Sequence, residues 1–278
     1  MTSPTRRIGQ ISRLRVSDLR TDGEHEVEHE VEDAVAAEEP LEIRLTGPGS
    51  PAQRAWVTMR TPGHDFELAA GWVFHEGVVG AGDLAEVAYC TDEDLSPEQE
   101  FNVVTVRSAS PVDLGHRHPA LSGGSSACGV CGKDSIEAAL TTVRGRRWTG
   151  PQPRPDVVRR LPGSLHEEQS LFERTGGVHA AGLFTADGER LVVREDVGRH
   201  NAVDKVAGAR LLAGHSPADA YLVVSGRAGF ELVQKAVAAG VGSLVAVGAP
   251  SSLAVHLARE AGLGLFGFTR ETRTVRYS

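Results

Sequence analysis

Two short, unbroken apolar runs in the second half of the chain constrain its fold more than any other feature. Tyr221-Leu222-Val223-Val224-Ser225 and Leu244-Val245-Ala246-Val247 show no polar–apolar alternation. A strand built from either is therefore covered on both faces. A helical pattern over 230–239 separates them. Ser251 or Ser252 caps a second helix over 253–261, ahead of the strand Gly264-Leu265-Phe266-Gly267-Phe268. This β-α-β-α-β order predicts a largely parallel sheet covered by helices. Upstream, 178–185 and 190–194 flank Asp187-Gly188, a hairpin signal. Residues 201–213 read as a helix with Ala202, Val203, Val206 and Ala207 on one face.

The first half reads differently. Leu41-Glu42-Ile43-Arg44-Leu45 alternates as a strand, Gly47-Pro48-Gly49-Ser50-Pro51 breaks it, and Ala55-Trp56-Val57-Thr58-Met59 answers as a hairpin partner. Thr61-Pro62-Gly63 is a turn and Asp65 opens a helix through Phe66, Leu68, Ala69, Trp72 and Val73. Two more strands are expected over 86–91 and 101–107, with Cys90 as a buried structural thiol in the first. Residues 1–20 are basic and polar, and 22–39 carry a run of Glu and Asp, so 1–40 is expected to be a flexible acidic tail. His25 and His29 are read as part of that solvated run rather than as a metal pair. An Arg- and Pro-rich stretch, 144–162, marks the domain boundary, dividing 41–150 from 151–278.

Bulk numbers narrow the function. A chain of 278 residues with net charge −8 buries a real core but does not suit broad binding to nucleic acid. Three cysteines are too few for a disulfide scaffold. Arg6, Arg7, Arg13 and Arg15 precede no apolar run, and no stretch approaches membrane-spanning length. A cytoplasmic protein with no membrane association is expected.

Two of the three cysteines lie in Ser125-Ser126-Ala127-Cys128-Gly129-Val130-Cys131-Gly132-Lys133. Gly123 and Gly124 precede this stretch and a helical pattern, 134–140, follows it. A helix N-terminus and Lys133 both favour thiolate over thiol. Spacing alone leaves several roles open. Half a structural zinc site needs a second ligand pair, which the sequence lacks. The deaminase signature needs Pro before the first Cys, where Ala127 stands, and a well-placed H-x-E. A dithiol redox pair belongs near a βαβ unit. A persulfide carrier needs a nucleophilic thiolate, a mobile loop such as 108–127, and a second thiol.

Three further polar stretches flank predicted strands and helices. Glu195-Asp196-Val197-Gly198-Arg199-His200-Asn201, with Asp204 and Lys205, suits either a ligand at a helix N-terminus or capping and ion pairs. Ser225-Gly226-Arg227-Ala228-Gly229 suits a phosphate edge or a tight turn, and is not a P-loop. Thr269-Arg270-Glu271-Thr272-Arg273 follows the last strand, where open α/β sheets bind ligands. His179 in Gly176-Gly177-Val178-His179-Ala180-Ala181 reads as structural.

Taken together, Ser126 to Lys133, Gly177 to Ala181, Arg194 to Lys205, Ser225 to Arg227 and Gly267 to Arg270 resemble the formate dehydrogenase accessory sulfurtransferase family, FdhD, from about Val31 onward. The resemblance implies a smaller N-terminal α+β part followed by a cytidine-deaminase-like three-layer α/β domain without the deaminase zinc residues. It implies a sulfur carrier that takes persulfide sulfur from a cysteine desulfurase. That sulfur passes to the bis-molybdopterin guanine dinucleotide cofactor, with molybdenum or tungsten, bound as substrate before it enters formate dehydrogenase. It further implies a homodimer, with GDP as a surrogate ligand. By position, Cys128 matches the persulfide cysteine and Cys131 its neighbour. Phe268, Thr269, Arg270, Glu271, Thr272 and Arg273 match the cofactor-binding segment, to which Ser225, Gly226 and Arg227 are joined; no metal ligand is implied.

Overall fold

The computed structural model describes residues 9–22, 25–91, 95–96, 99–112, 140 and 147–278. Cys128, Cys131, Lys133 and the helix expected over 134–140, apart from Leu140, lie outside the described residues.

The first departure from expectation is at the N-terminus. Where a flexible tail was expected, β1 (Ile11–Asp22) and β2 (His25–Ala36) pair antiparallel along their whole length. Val16, Leu19, Val27 and Val31 give the run enough β-branched and aliphatic character for strands, despite the glutamates between them. The strand geometry also separates His25 from His29. Four residues of strand span about 13 Å, too far for two ligands of one metal ion.

A four-stranded sheet follows, in the order β4-β3-β6-β5. Its strands are β3 (Glu39–Gly47), β4 (Ser50–Arg60), β5 (Leu84–Tyr89) and β6 (Val103–Ser108). Leu41, Ile43 and Leu45 alternate inward and pack with Val104 and Val106 under Leu68, Trp72 and Val73 of α1 (Asp65–His75). Cys90 falls just after β5, not within it, and is only half-buried, with its sulfur 3.5 Å from Arg44 Nη1. Residues 109–112 are tied to the same sheet: the Ala109 amide donates to Asp83 O at 2.7 Å, and Ser110 Oγ lies 2.6 Å from Asp83 Oδ1.

The second sheet has six strands in the order β12-β11-β10-β9-β7-β8. These are β7 (His179–Phe184), β8 (Arg190–Asp196), β9 (Tyr221–Val224), β10 (Ser243–Ala246), β11 (Gly264–Arg270) and β12 (Arg273–Arg276). Only β9, β10 and β11 are mutually parallel, and every other pairing is antiparallel. The expected largely parallel sheet is therefore a three-strand parallel centre, because the hairpin β7–β8 and the return strand β12 join through short turns.

Helices α4 (Arg199–Leu212), α5 (Phe230–Ala239) and α6 (Ser252–Ala261) cover one face of this sheet, with Val206, Leu232 and Leu257 on Leu183, Leu222, Leu244 and Leu265. The other face holds α2 (Pro155–His166), whose Val157, Val158, Leu161 and Leu165 meet Phe184, Tyr221, Val223, Val245 and Phe266. The protein is thus α/β, with helix, sheet and helix in three layers. Ser251 caps α6 by accepting from the Ala254 amide. Part of the expected boundary, 155–162, is a packed helix. Its apolar spacing is visible in the sequence, but Pro162 inside the helix disguises it.

The two sheets are joined helix to helix. A β-carbon on Gly71 of α1 would fall 2.6 Å from the Asp204 carbonyl carbon, and one on Gly208 of α4 would fall 2.6 Å from the Glu67 carbonyl carbon. The helices cross backbone on backbone, which only glycine permits.

Candidate functional site

The polar cluster 195–205 serves this junction. Asp196 and Lys205 are fully buried and paired at 2.6 Å. Asp196 also accepts from the Thr61 amide at 3.2 Å, the Gly198 amide at 2.8 Å and Asn201 Nδ2 at 3.0 Å. Lys205 Nζ donates to Thr61 O at 2.9 Å, and Asn201 Nδ2 to Met59 O at 2.8 Å. The Thr61-Pro62-Gly63 turn is therefore bolted to the start of α4. Deeper in, Asp204 sits between His75 Nδ1 at 2.6 Å and Lys235 Nζ at 2.8 Å. Burial works against its charge, but the Lys235 cation and the His75 bond hold the Asp204 carboxyl below its usual range. Burial keeps His75 neutral, below its usual range. Glu195 caps α3 (Ser170–Thr175) by accepting from the Leu171 and Phe172 amides, each at 2.8 Å. Of the two readings of this cluster, capping and ion pairs describe these contacts.

A cavity of about 1020 Å³ opens at the carboxyl ends of the parallel strands. Ser225 after β9, Val247 after β10, and Arg270 and Glu271 at the end of β11 meet there, with His179 at the start of β7. Its opposite wall is α2 and α3, through Arg159, Arg160, His166 and Phe172. The strand-end turns converge tightly. The Gly248 amide donates to Gly226 O at 2.9 Å, and the Phe268 amide to Gly248 O at 3.1 Å. A β-carbon on Gly248 would lie 3.1 Å from Arg227 Cα and from Gly226 O, so the crossing is tight for any side chain. Ser225 is locked to β7: its hydroxyl accepts from the Ala180 amide at 2.9 Å. Arg270 Nη1 donates to Val247 O and Thr269 O, both at 2.8 Å, so the guanidinium is oriented by carbonyls, and among the described residues no carboxylate pairs with it. Burial, then the Arg199 and His200 charges, hold His179 neutral, below its usual range.

The residues expected from sequence divide. Ser225, Arg270 and Glu271 line one cavity, joined there by His179, which the sequence suggested to be structural, and Gly226 lies close against His179, where a β-carbon would lie 3.5 Å from its Nδ1. Thr269 is buried and bonds to Thr274 at 3.0 Å. Phe268 is exposed at φ +50°, a left-handed backbone costing about 1–3 kcal/mol for a bulky residue. Arg273 lies over its ring at 5.8 Å, and Arg227 is exposed on its turn. Arg227, Thr272 and Arg273 do not line the cavity. Arg159 and Arg160 escaped the sequence reading because their helix was taken for a boundary.

A second cavity, of about 650 Å³, lies at the opposite, amino ends of the strands beside Trp148, Ser243, Arg259 and Arg276. There α5 and α6 end, at Gly240 and Gly262, and present their negative poles. Both helices begin at the first cavity's end of the sheet, so fixed dipoles and arginines there act in the same sense, toward an anion. Among the described residues, no three His, Cys, Asp or Glu side chains converge as a metal site, and no helix is long and apolar enough to cross a membrane.

Fold and site define a mixed α/β protein with an arginine-bearing cavity at the carboxyl ends of parallel strands. Sequence comparison specifies it further: the chain belongs to the FdhD/NarQ family, which it matches over residues 36–278. It is 49% identical over 245 residues to the sulfur carrier protein FdhD of Streptomyces avermitilis, covering 86% of this chain and 84% of that one. It is likewise 49% identical over 248 residues to the sulfur carrier protein FdhD of Nocardia farcinica, covering 88% and 86%. A crystal structure of a candidate formate dehydrogenase accessory protein from Desulfotalea psychrophila superposes with a TM-score of 0.71, covering 96% of both chains at 23% identity, and so shares the fold.

Proposed function

We propose that this chain is a sulfur carrier acting as a sulfurtransferase in formate dehydrogenase maturation. Cys128 thiolate attacks the outer sulfur of a cysteine desulfurase persulfide, the desulfurase cysteine leaves as its thiolate, and Cys128 keeps the sulfur as a persulfide. Cys131 stands close in sequence to resolve or assist it. The acceptor is the bis-molybdopterin guanine dinucleotide cofactor, a bound substrate rather than a resident group. The observation that carries this reading is the convergence of Ser225, Arg270 and Glu271 on one cavity at the dipole-positive end of the sheet, in a chain 49% identical to proteins named sulfur carrier protein FdhD.

The cavity's chemistry fits such a substrate. Arg159, Arg160 and Arg270 offer guanidinium forks for phosphates, and Glu167 and Glu271 offer acceptors for a base edge. The chain's own part is to orient the dinucleotide end and to shelter the sulfur from water. Mass spectrometry after incubation with a cysteine desulfurase and cysteine tests the carrier role. Added mass of about 32 Da is expected on the peptide holding Cys128. Modification of Cys90 alone overturns the assignment, and one tightly held zinc per chain, in protein purified without chelator, favours a zinc-binding accessory role instead.

A further inference from the structure

The second cavity, of about 650 Å³, lies at the end of the sheet opposite the proposed dinucleotide site. Its size is that of an ordinary small-molecule pocket. The connection 147–153 and the ends of α5 and α6 line it. That connection is fixed to the sheet domain. The Trp148 amide donates to Gly240 O at 2.7 Å, and the Arg154 amide to Tyr221 Oη at 3.3 Å. The Trp148 indole lies against bare backbone. A β-carbon on Gly150 would fall 2.6 Å from its Cε2, and one on Gly242 3.0 Å from its Cγ. Pro151, Pro153 and Tyr221 extend this aromatic and apolar part of the lining, which suits a flat ring.

The charged part of the lining has one sign. Arg147, Arg259 and Arg276 contribute to it, with no Asp, Glu, His or Lys side chain. Arg259 Nε donates to Tyr277 O at 3.1 Å, and Arg276 Nε to Ser278 O at 2.9 Å. Each of these guanidiniums is steered through Nε and keeps its two terminal nitrogens for another acceptor. Among the described residues no carboxylate pairs with any of the three arginines. The carboxyl ends of α5 and α6 oppose an anion, but each carries only about half a charge. Their last carbonyls already accept from the Gly240, Val241, Gly262 and Leu263 amides. The two poles together offset about one of the three cations, and a carboxylate on Ser278 would offset one more, so the excess stays positive.

We propose that this cavity binds an anion that carries a flat ring, a nucleoside phosphate or an aromatic acid. The forks of Arg259 and Arg276 hold the anionic group, and the ring packs toward Trp148, Pro151 and Pro153. Such a ligand uses both parts of the lining, whereas a bare anion uses one. The inference stands apart from the sulfur-carrier reading, because it invokes neither Cys128 nor the first cavity.

Calorimetric titration of the full chain with AMP and with 2-naphthoate tests this, with inorganic phosphate as the ring-free comparison. At least one ring-bearing probe is expected to bind roughly tenfold or more tightly than phosphate, and which of the two does so names the source. Arg259→Gln combined with Arg276→Gln removes two charges and keeps a side-chain amide near the same carbonyls. It should weaken that binding by about tenfold or more, while Arg270→Ala at the other cavity leaves it unchanged. Circular dichroism reports whether the double variant folds. Arg147→Gln, at an exposed position, gives an independent reading, with weakening of about threefold. Neither probe binding by about 5 mM, or phosphate binding as tightly as both, overturns the proposal. Binding kept in the double variant and lost with Arg270→Ala also overturns it.

Discussion

Replacing Gly71 with alanine tests how the two halves are held together. The added β-carbon meets the Asp204 carbonyl carbon at 2.6 Å, whereas carbon atoms normally rest about 3.5–4.0 Å apart. The obstacle is backbone on both sides, so α1 and α4 must separate by roughly 1 Å. The polar contacts that tie α1 and its preceding turn and strand to α4 and β8 include His75–Asp204 at 2.6 Å, Arg194–Glu67 at 2.7 Å, Lys205–Thr61 O at 2.9 Å and Asn201–Met59 O at 2.8 Å. A displacement of that size takes most of them out of hydrogen-bond range. Overpacking costs about 1–3 kcal/mol and each buried group left unpaired about 1–3 kcal/mol. With three such groups the total is about 4–12 kcal/mol, comparable to the whole stability of many domains. Thermal unfolding followed by circular dichroism should show a midpoint lower by about 10 °C or more, or no cooperative transition. Gly163→Ala in α2 is the control: its β-carbon meets nothing within 4 Å, and removing a helix-interior glycine should stabilise by about 0.5–1 kcal/mol. A Gly71→Ala protein melting within about 3 °C of the parent would refute the reasoning.

Stability should fall as pH drops below about 6.5. His75 is neutral in the fold, held below its usual value, while the unfolded chain takes up the proton, so acid favours unfolding; urea midpoints at pH 7.5 and 5.5 measure this, and His75→Asn should flatten the difference. Asp204, held low in the fold, adds a second loss in stronger acid, as pH falls from the ordinary carboxylate value through its own. Lys205→Met leaves Asp196 buried without its cation and should cost about 3–5 kcal/mol in urea unfolding; an unchanged midpoint would deny the junction its role. Arg270→Ala should weaken GDP binding at least tenfold by calorimetry, and Arg273→Ala much less, because Arg273 lies over Phe268 and outside the cavity. Equal effects would shift the ligand off the cavity.

The sequence by itself determined the local units and the family. Unbroken apolar runs at 221–225 and 244–247, with glycine and serine at their ends, leave little choice but buried strands between helices. The hairpin at Asp187-Gly188 and the Ser251 cap were legible for the same reason: each depends on neighbours in the chain. Helix α2 was written in the spacing of Val157, Val158, Leu161 and Leu165 but masked by Pro162, and β1–β2 was masked by charge that a two-sided exposed ribbon tolerates.

What only the tertiary structure decided is which distant residues share a space. Ser225 and Arg270 stand 45 residues apart in sequence and line one cavity, because parallel strands end side by side. Asp196, Asn201 and Lys205 read equally well as a ligand site until the Thr61 turn is seen to occupy their bonds. The need for glycine at 71 and 208 is invisible in either helix alone. It arises only where two backbones meet, and a one-dimensional pattern carries no record of what will be packed against it.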